Sequence, residues 1–302
     1  MGSHTERHCE AELVLDVKAR TGESPVWSED EQALYWIDIE EPALHRFDPR
    51  ESRDESWEMP SEIGAFALCR SGGVIAALRT GLAKVSLQDA GWSSLCPAPY
   101  NPLQRRFNEG KCDARGRFWV GAMYEPLRRP QKRAQTASAR ENPLRVFTNE
   151  GLKETSPAAV IANGLAWSPM SDKMYFTDSA ARIIWVFDYD LESARLSSRR
   201  VFAQFDSSQG APDGAAVDAE GFYWCALYGG GRVIRISPEG RIEREIRLPV
   251  SQPTMCAFGG DDYRTLFITT ASHGVEQREL HAGGLFYALP GVSGLPAPLF
   301  AD

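Results

Sequence analysis

The chain contains no run of 18 or more apolar residues, so no stretch of it reads as a membrane-crossing helix. Its first residues, MGSHTERHCEAE, are polar and carry no apolar h-region, which argues against a secretory signal. Basic residues are outnumbered: 33 Lys and Arg face 41 Asp and Glu, and the net charge of -8 argues against nucleic-acid binding. The five histidines form no HxH or HExxH cluster, which disfavours the common histidine-rich zinc sites. The six cysteines (Cys9, Cys69, Cys96, Cys112, Cys225 and Cys256) are scattered without a CxxC pair and read as mostly free thiols in a reducing cytoplasm. No GxSxG elbow and no P-loop occur, and the glycine run Gly229 to Gly231 is too short for a dinucleotide fingerprint. Helical periodicity is weak, because 26 glycines and 19 prolines interrupt nearly every window longer than ten residues.

What remains is a strand pattern. The composition is that of an ordinary globular protein, 43% hydrophobic and 25% charged over 302 residues, long enough for a sizeable core. Short β-rich runs recur: LYWIDI, VIAAL, RFWVGAM, KMYFTDS, FYWCAL and TLFITTA. Each follows a similar prefix, and the six prefixes start at Gly22, Ile63, Phe107, Asn163, Pro212 and Pro253. Intervals of roughly 40–50 residues with several short strands each are the period of propeller blades. The fold class expected is all-β: a single six-bladed propeller over residues 1–302, with 1–10 as a disordered tail. Closure should come from the N-terminal run AELVLDVKA pairing with the C-terminal runs GGLFYAL and APLF in one shared blade. The longest interval holds a polar, basic insertion, Tyr124 to Asn142, which reads as a surface loop or lid. Trp27, Trp36, Trp119, Trp167 and Trp224 recur at inner-strand positions and read as blade-to-blade core.

The prefixes also share a polar column. Asp213 stands five residues before Asp218 in PDGAAVDAEG; the equivalent residues are Glu23, Asn108 and Asn163, with Ala65 and Thr254 in the second and sixth repeats. An Asp in Pro-Asp-Gly, or an Asn before Gly, is by itself ordinary turn chemistry. The common phase in separate repeats is not. Equivalent positions in a propeller lie on a ring around the axis, and converging carboxylates there require a cation. Glu23, Asn163 and Asp213 supply three oxygen ligands and two negative charges, suited to Ca²⁺, Mg²⁺ or Mn²⁺, with waters completing the shell. Asn108 would stand beside the ion.

The phrases GESPVW, RFNEGK, NGLAWS, PDGAAVD, GGRVIR and CAFGG occur in order over nearly the whole chain. They resemble the regucalcin/gluconolactonase family, also called the senescence marker protein family. The resemblance implies a six-bladed propeller with one divalent metal at the channel mouth, hydrolysing a gluconolactone-like aldonolactone to the aldonic acid. It assigns the metal ligands to Glu23, Asn163 and Asp213, and the substrate-binding pair to Arg106 and Asn108. Glu125, in GAMYEPL, is the third substrate-binding residue the resemblance implies, displaced by one residue from the family's substrate-contacting glutamate. Asp213 is implied as the general base. Calcium is the first expectation for the ion, and Mg²⁺, Mn²⁺, Zn²⁺ and Fe²⁺ fit the same oxygen ligands. The expected partner is a small sugar lactone, in cytoplasmic carbohydrate metabolism. Alternatives are another esterase or a phosphotriesterase on the same site, or a calcium-binding propeller without catalysis.

Overall fold

The computed structural model describes residues 9–89, 91–127 and 141–302. Six sheets follow one another along the chain, each with a core of four antiparallel strands; one of them carries a fifth, parallel strand. Their innermost strands are Gly22–Ser28, Ile63–Leu68, Arg105–Cys112, Ala162–Trp167, Ala211–Val217 and Pro253–Gly259. Neighbouring inner strands touch in that order, and the sixth touches the first, so the sheets close into a ring around a central channel. This is the six-bladed propeller that the repeat period implies. No helix among the described residues is long and apolar enough to cross a membrane.

Each blade is built by local rules. In DARGRFW, one Asp113 oxygen accepts the backbone N–H groups of Arg115 and Arg117, while the other accepts the Trp119 indole N–H at 2.8 Å. In DAEGFYW, Asp218 holds Glu220, Phe222 and Trp224 in the same way. The aspartate five residues beyond the polar column therefore fixes the turn between the first and second strands. The apolar faces of the strands then pack sideways. Six hydrophobic clusters form, one at each junction between adjacent blades. Trp36, Trp119 and Trp224 are fully buried in them, Trp27 is buried as well, and Trp167 packs against their edge. Together they fill the blade junctions that their sequence positions suggest.

Closure uses both termini. Glu12–Leu15 forms the outer strand of the sixth blade, antiparallel to Leu285–Ala288 within GGLFYAL. Two sequence expectations need correction. Cys9 and Glu10 are not tail: they form a short strand parallel to Ile246–Arg247 on the outside of the fifth blade. The edge strand there offers free backbone groups, and the entering chain takes them. The second correction concerns APLF, which does not join the sixth blade. Instead the C-terminal segment crosses the face of the propeller opposite the polar column. The Ser293 carbonyl accepts from Ala219 N–H, and Gly294 N–H donates to Tyr263. Farther on, Phe300 exchanges backbone hydrogen bonds with Leu68 and Arg70, and Ala301 N–H reaches Gly116. Within the Tyr124–Asn142 insertion, residues 128–140 lie outside the described residues, so the lid expectation is not addressed.

The strap covers a cavity of about 410 Å³ at that end of the channel, lined by Trp27, Phe66, Trp167, Phe258 and Leu295 among others. Its anchor, Phe300, is buried against Phe147 with ring centroids 6.0 Å apart. Phe300→Ala should cost about 3 kcal/mol, as expected for truncating a buried aromatic. Guanidinium unfolding curves of the two proteins measure it, and an unchanged midpoint would show the strap to be only draped over the surface.

Candidate functional site

Strand geometry explains why the polar column can form a site. Along a regular inner strand, side chains alternate between the two neighbouring blade junctions, and neither direction is the channel. Each of the six inner strands breaks this alternation with a bulge at the same level. The register slips between Glu23 and Val26, Ile63 and Ala65, Phe107 and Glu109, Asn163 and Ala166, Pro212 and Ala215, and Pro253 and Met255. Such bulges re-aim side chains. The pairing also corrects the column in the second blade, where the bulged residue is Gly64 rather than Ala65. A Cβ at Gly64 would stand 2.0 Å from the Phe107 carbonyl oxygen, so the neighbouring strand's backbone occupies that space. The ring is thus Glu23, Gly64, Asn108, Asn163, Asp213 and Thr254.

Hydrogen bonds link the ring into a chain. An Arg106 terminal nitrogen donates to Asn108 Oδ1 at 2.6 Å. Asn108 Nδ2 donates to Asn163 Oδ1 at 3.0 Å and to the Ala162 carbonyl at 2.9 Å. Asn163 Nδ2 in turn donates to Ser179 Oγ, which donates to the Pro212 carbonyl, next to Asp213. Both Asn108 N–H groups therefore have protein acceptors, and the residue serves as a strut between Arg106 and Asn163. Glu125 joins from just past the end of the adjacent strand: its Oε2 accepts from Arg106 Nε at 2.8 Å and from Arg79 at 2.5 Å. The structure thus brings Arg106, Asn108, Asn163 and Glu125 into one network. Arg79 and Ser179 went unrecognised in the sequence, because each acts through partners far away along the chain.

Electrostatics ties in the remaining residues. Glu23 is buried, and its carboxyl is pushed up to about 8, first by burial and then by the negative charge of Glu109. Burial, with Glu23 and Glu109 nearby, likewise raises the Asp213 carboxyl well above its usual range. Neither Glu23 nor Asp213 forms an ion pair among the described residues. Glu109 and Lys111, overlooked in the sequence, belong to the same cluster: burial raises the former and lowers the latter. The signal was present in RFNEGKC, where two charges interrupt an inner strand. A group of three or more His, Cys, Asp and Glu side chains able to hold a metal is absent among the described residues. Any ion here would therefore need the Asn163 carboxamide beside the two carboxylates. The fit is good on two counts: the donors are all hard oxygens, and desolvated, mutually repelling carboxylates are stabilised by a cation. Cys112 offers no rival nucleophile, since burial pushes its thiol well above its normal value.

Fold and site define a class: a six-bladed β-propeller with an oxygen-lined polar site where the inner strands begin. Residues 21–272 match the family model described as the SMP-30/gluconolactonase/LRE-like region. A 6-deoxy-6-sulfogluconolactonase of Pseudomonas putida is 38% identical over 285 residues, covering 93% of this chain and 94% of that protein. Regucalcin of Xenopus laevis is 33% identical over 299 residues, covering 96% and 98%. The solved structure of a calcium-binding protein, regucalcin, from Agrobacterium tumefaciens superposes with a TM-score of 0.87 at 22% identity, covering 97% of this chain and 98% of that one. The chain belongs to the SMP-30/gluconolactonase/LRE-like family.

The cluster has a pH signature. A carboxyl whose folded-state pKa lies above its unfolded value opposes folding once ionised. The Glu23 contribution is therefore neutral in acid and becomes destabilising as pH rises from 4.5 to about 8. In chelator-treated protein, the thermal midpoint should fall over that window by more than it does in Glu23→Gln. Identical pH profiles for the two proteins would contradict the buried, uncompensated state of Glu23.

Proposed function

We propose that the chain hydrolyses a sugar lactone of the aldonolactone type to the aldonic acid, at the bulged ring of its channel. The observation that carries this reading is the pair of desolvated carboxylates, Glu23 and Asp213, beside Asn163 and next to a hydrogen-bonded Arg106–Glu125 pair. The name of the Pseudomonas putida relative supports the substrate class. Glu23, Asn163 and Asp213 would hold a divalent cation, which when bound supplies Lewis-acid polarisation of a carbonyl and acidifies a water. The names of the regucalcin relatives and of the calcium-binding Agrobacterium protein favour calcium first, with Mg²⁺, Mn²⁺, Zn²⁺ and Fe²⁺ compatible with the same oxygen donors.

The chain's own residues then divide the work. A lactone is an internal ester, and its hydrolysis passes through a tetrahedral oxyanion. Asp213 accepts a proton from the attacking water as general base. Arg106 and Glu125 orient the sugar's hydroxyls, which supplies proximity. Asn108 keeps Arg106 and Asn163 in register through its three hydrogen bonds. Arg79 holds Glu125 from the other side and is itself countered by Glu62 at 3.1 Å. Free thiols at Cys69, Cys96, Cys112, Cys225 and Cys256 fit a cytoplasmic role in carbohydrate metabolism.

The test is proton release from gluconolactone, xylonolactone, arabinonolactone and 6-deoxy-6-sulfogluconolactone, above the spontaneous blank. Chelator should abolish the rate, and one of the divalent ions should restore it. Asp213→Ala should lower kcat roughly 100-fold or more, the scale of a lost general base. A rate no higher than the blank with every ion and lactone would exclude the lactonase, leaving a binding propeller.

A further inference from the structure

Directly below the ring, the channel holds two charged side chains to which the proposed chemistry gives no part. Glu109 is only 2% exposed. Its two oxygens accept the backbone N–H groups of Gly110 and Leu165, at 2.9 and 3.3 Å, the latter from the next blade. The Lys111 ammonium crosses the channel to the Ala215 carbonyl, two residues beyond Asp213. Cys256, which also faces Lys111, and Tyr223, which faces Glu109, are held neutral by burial. The surrounding arginines are already answered, Arg106 by Glu125 and Arg79 by Glu62 and Glu125.

The charges of the channel can therefore be counted. When ionised, Glu23, Asp213 and Glu109 bring three negative charges, and a protonated Lys111 removes one, so a dication neutralises the cluster. We propose that Lys111 is a built-in counter-cation which, together with Glu109, sets the valence of the ion that the ring accepts. Without Lys111 the same carboxylates would match a trication; without Glu109 they would match a monovalent ion. Neither residue needs to touch the ion, because a unit charge in a poorly solvated channel acts over several ångströms. The inference rests on the cation site proposed above and assigns its selectivity to residues outside the ligand set.

Calorimetric titration of the whole, chelator-stripped protein with calcium(II) and terbium(III) tests this. The readout is the ratio of terbium to calcium affinity, with circular dichroism as the control for folding. In Lys111→Met the ratio should rise about tenfold or more, and in Glu109→Gln it should fall by a similar factor, the scale of one unit charge at an effective dielectric near 20. The double variant removes both charges and should return to the wild-type ratio. A folded Lys111→Met protein with the wild-type ratio would overturn the proposal. If that variant does not fold, the double variant compared with Glu109→Gln decides: equal ratios overturn it, and a tenfold gap supports it. Asp213→Asn separates the two levels of inference. If it abolishes binding while the Lys111 and Glu109 variants leave the ratio untouched, the cation site stands and the counter-cation falls. If neither ion binds wild-type protein, both fall together.

Discussion

The structure depends on how the inner edges of its blades are satisfied. Each innermost strand has an edge toward the axis, and its backbone groups there have no further strand to pair with. Side chains and neighbouring blades take that place. Leu165 N–H donates to Glu109, and the carbonyls of Ala162, Pro212, Ala215 and Gly22 accept from Asn108, Ser179, Lys111 and Thr254. The bulges make this possible, because they swing side chains that would otherwise enter the blade junctions into the channel. The same local irregularity that satisfies the edge also creates the ring.

Packing and polarity are therefore separated by direction. Apolar side chains point sideways and form the six junction clusters, which hold the blades in register. Polar side chains point inward at the ring, with Glu109 and Lys111 just below it. Their burial makes the carboxylates hard to ionise, and their closeness to one another adds to it. A cluster so arranged has unspent affinity for positive charge, the property that a cation site needs. Lys111 and Glu109 lie within the same field, so the charge of the channel is a property of the whole cluster and not of Glu23 and Asp213 alone.

Much of this was legible in the sequence. The blade period, the strand runs and the turn aspartates are local features, and local hydrogen bonding at Asp113 and Asp218 enforces them. Glu23, Asn163 and Asp213 could be found because a repeat places equivalent residues on a ring by symmetry. The second blade defeated that reasoning by one residue: a bulge changes the count within a strand, and only the pairing of Ile63 with Leu78 and Ala65 with Ala77 reveals Gly64 as the ring position. The family resemblance drew attention to Arg106, Asn108 and Glu125 but not to their supports.

By itself, the sequence determined the all-β class, the number of blades and most of the polar column, because these repeat or follow from short-range turn chemistry; the N-terminal half of the closure followed from the need to cover an open edge. Only the tertiary structure decided what joins the blades. Arg79 reaches Glu125 across 46 positions, Ser179 reaches Pro212 across 33, and Lys111 reaches Ala215 across 104. The C-terminal strap likewise passes the sixth blade and ends against the second and third. Such contacts obey no sequence period. They are set by which side chains the closed ring brings face to face, and by the need of every buried edge group for a partner.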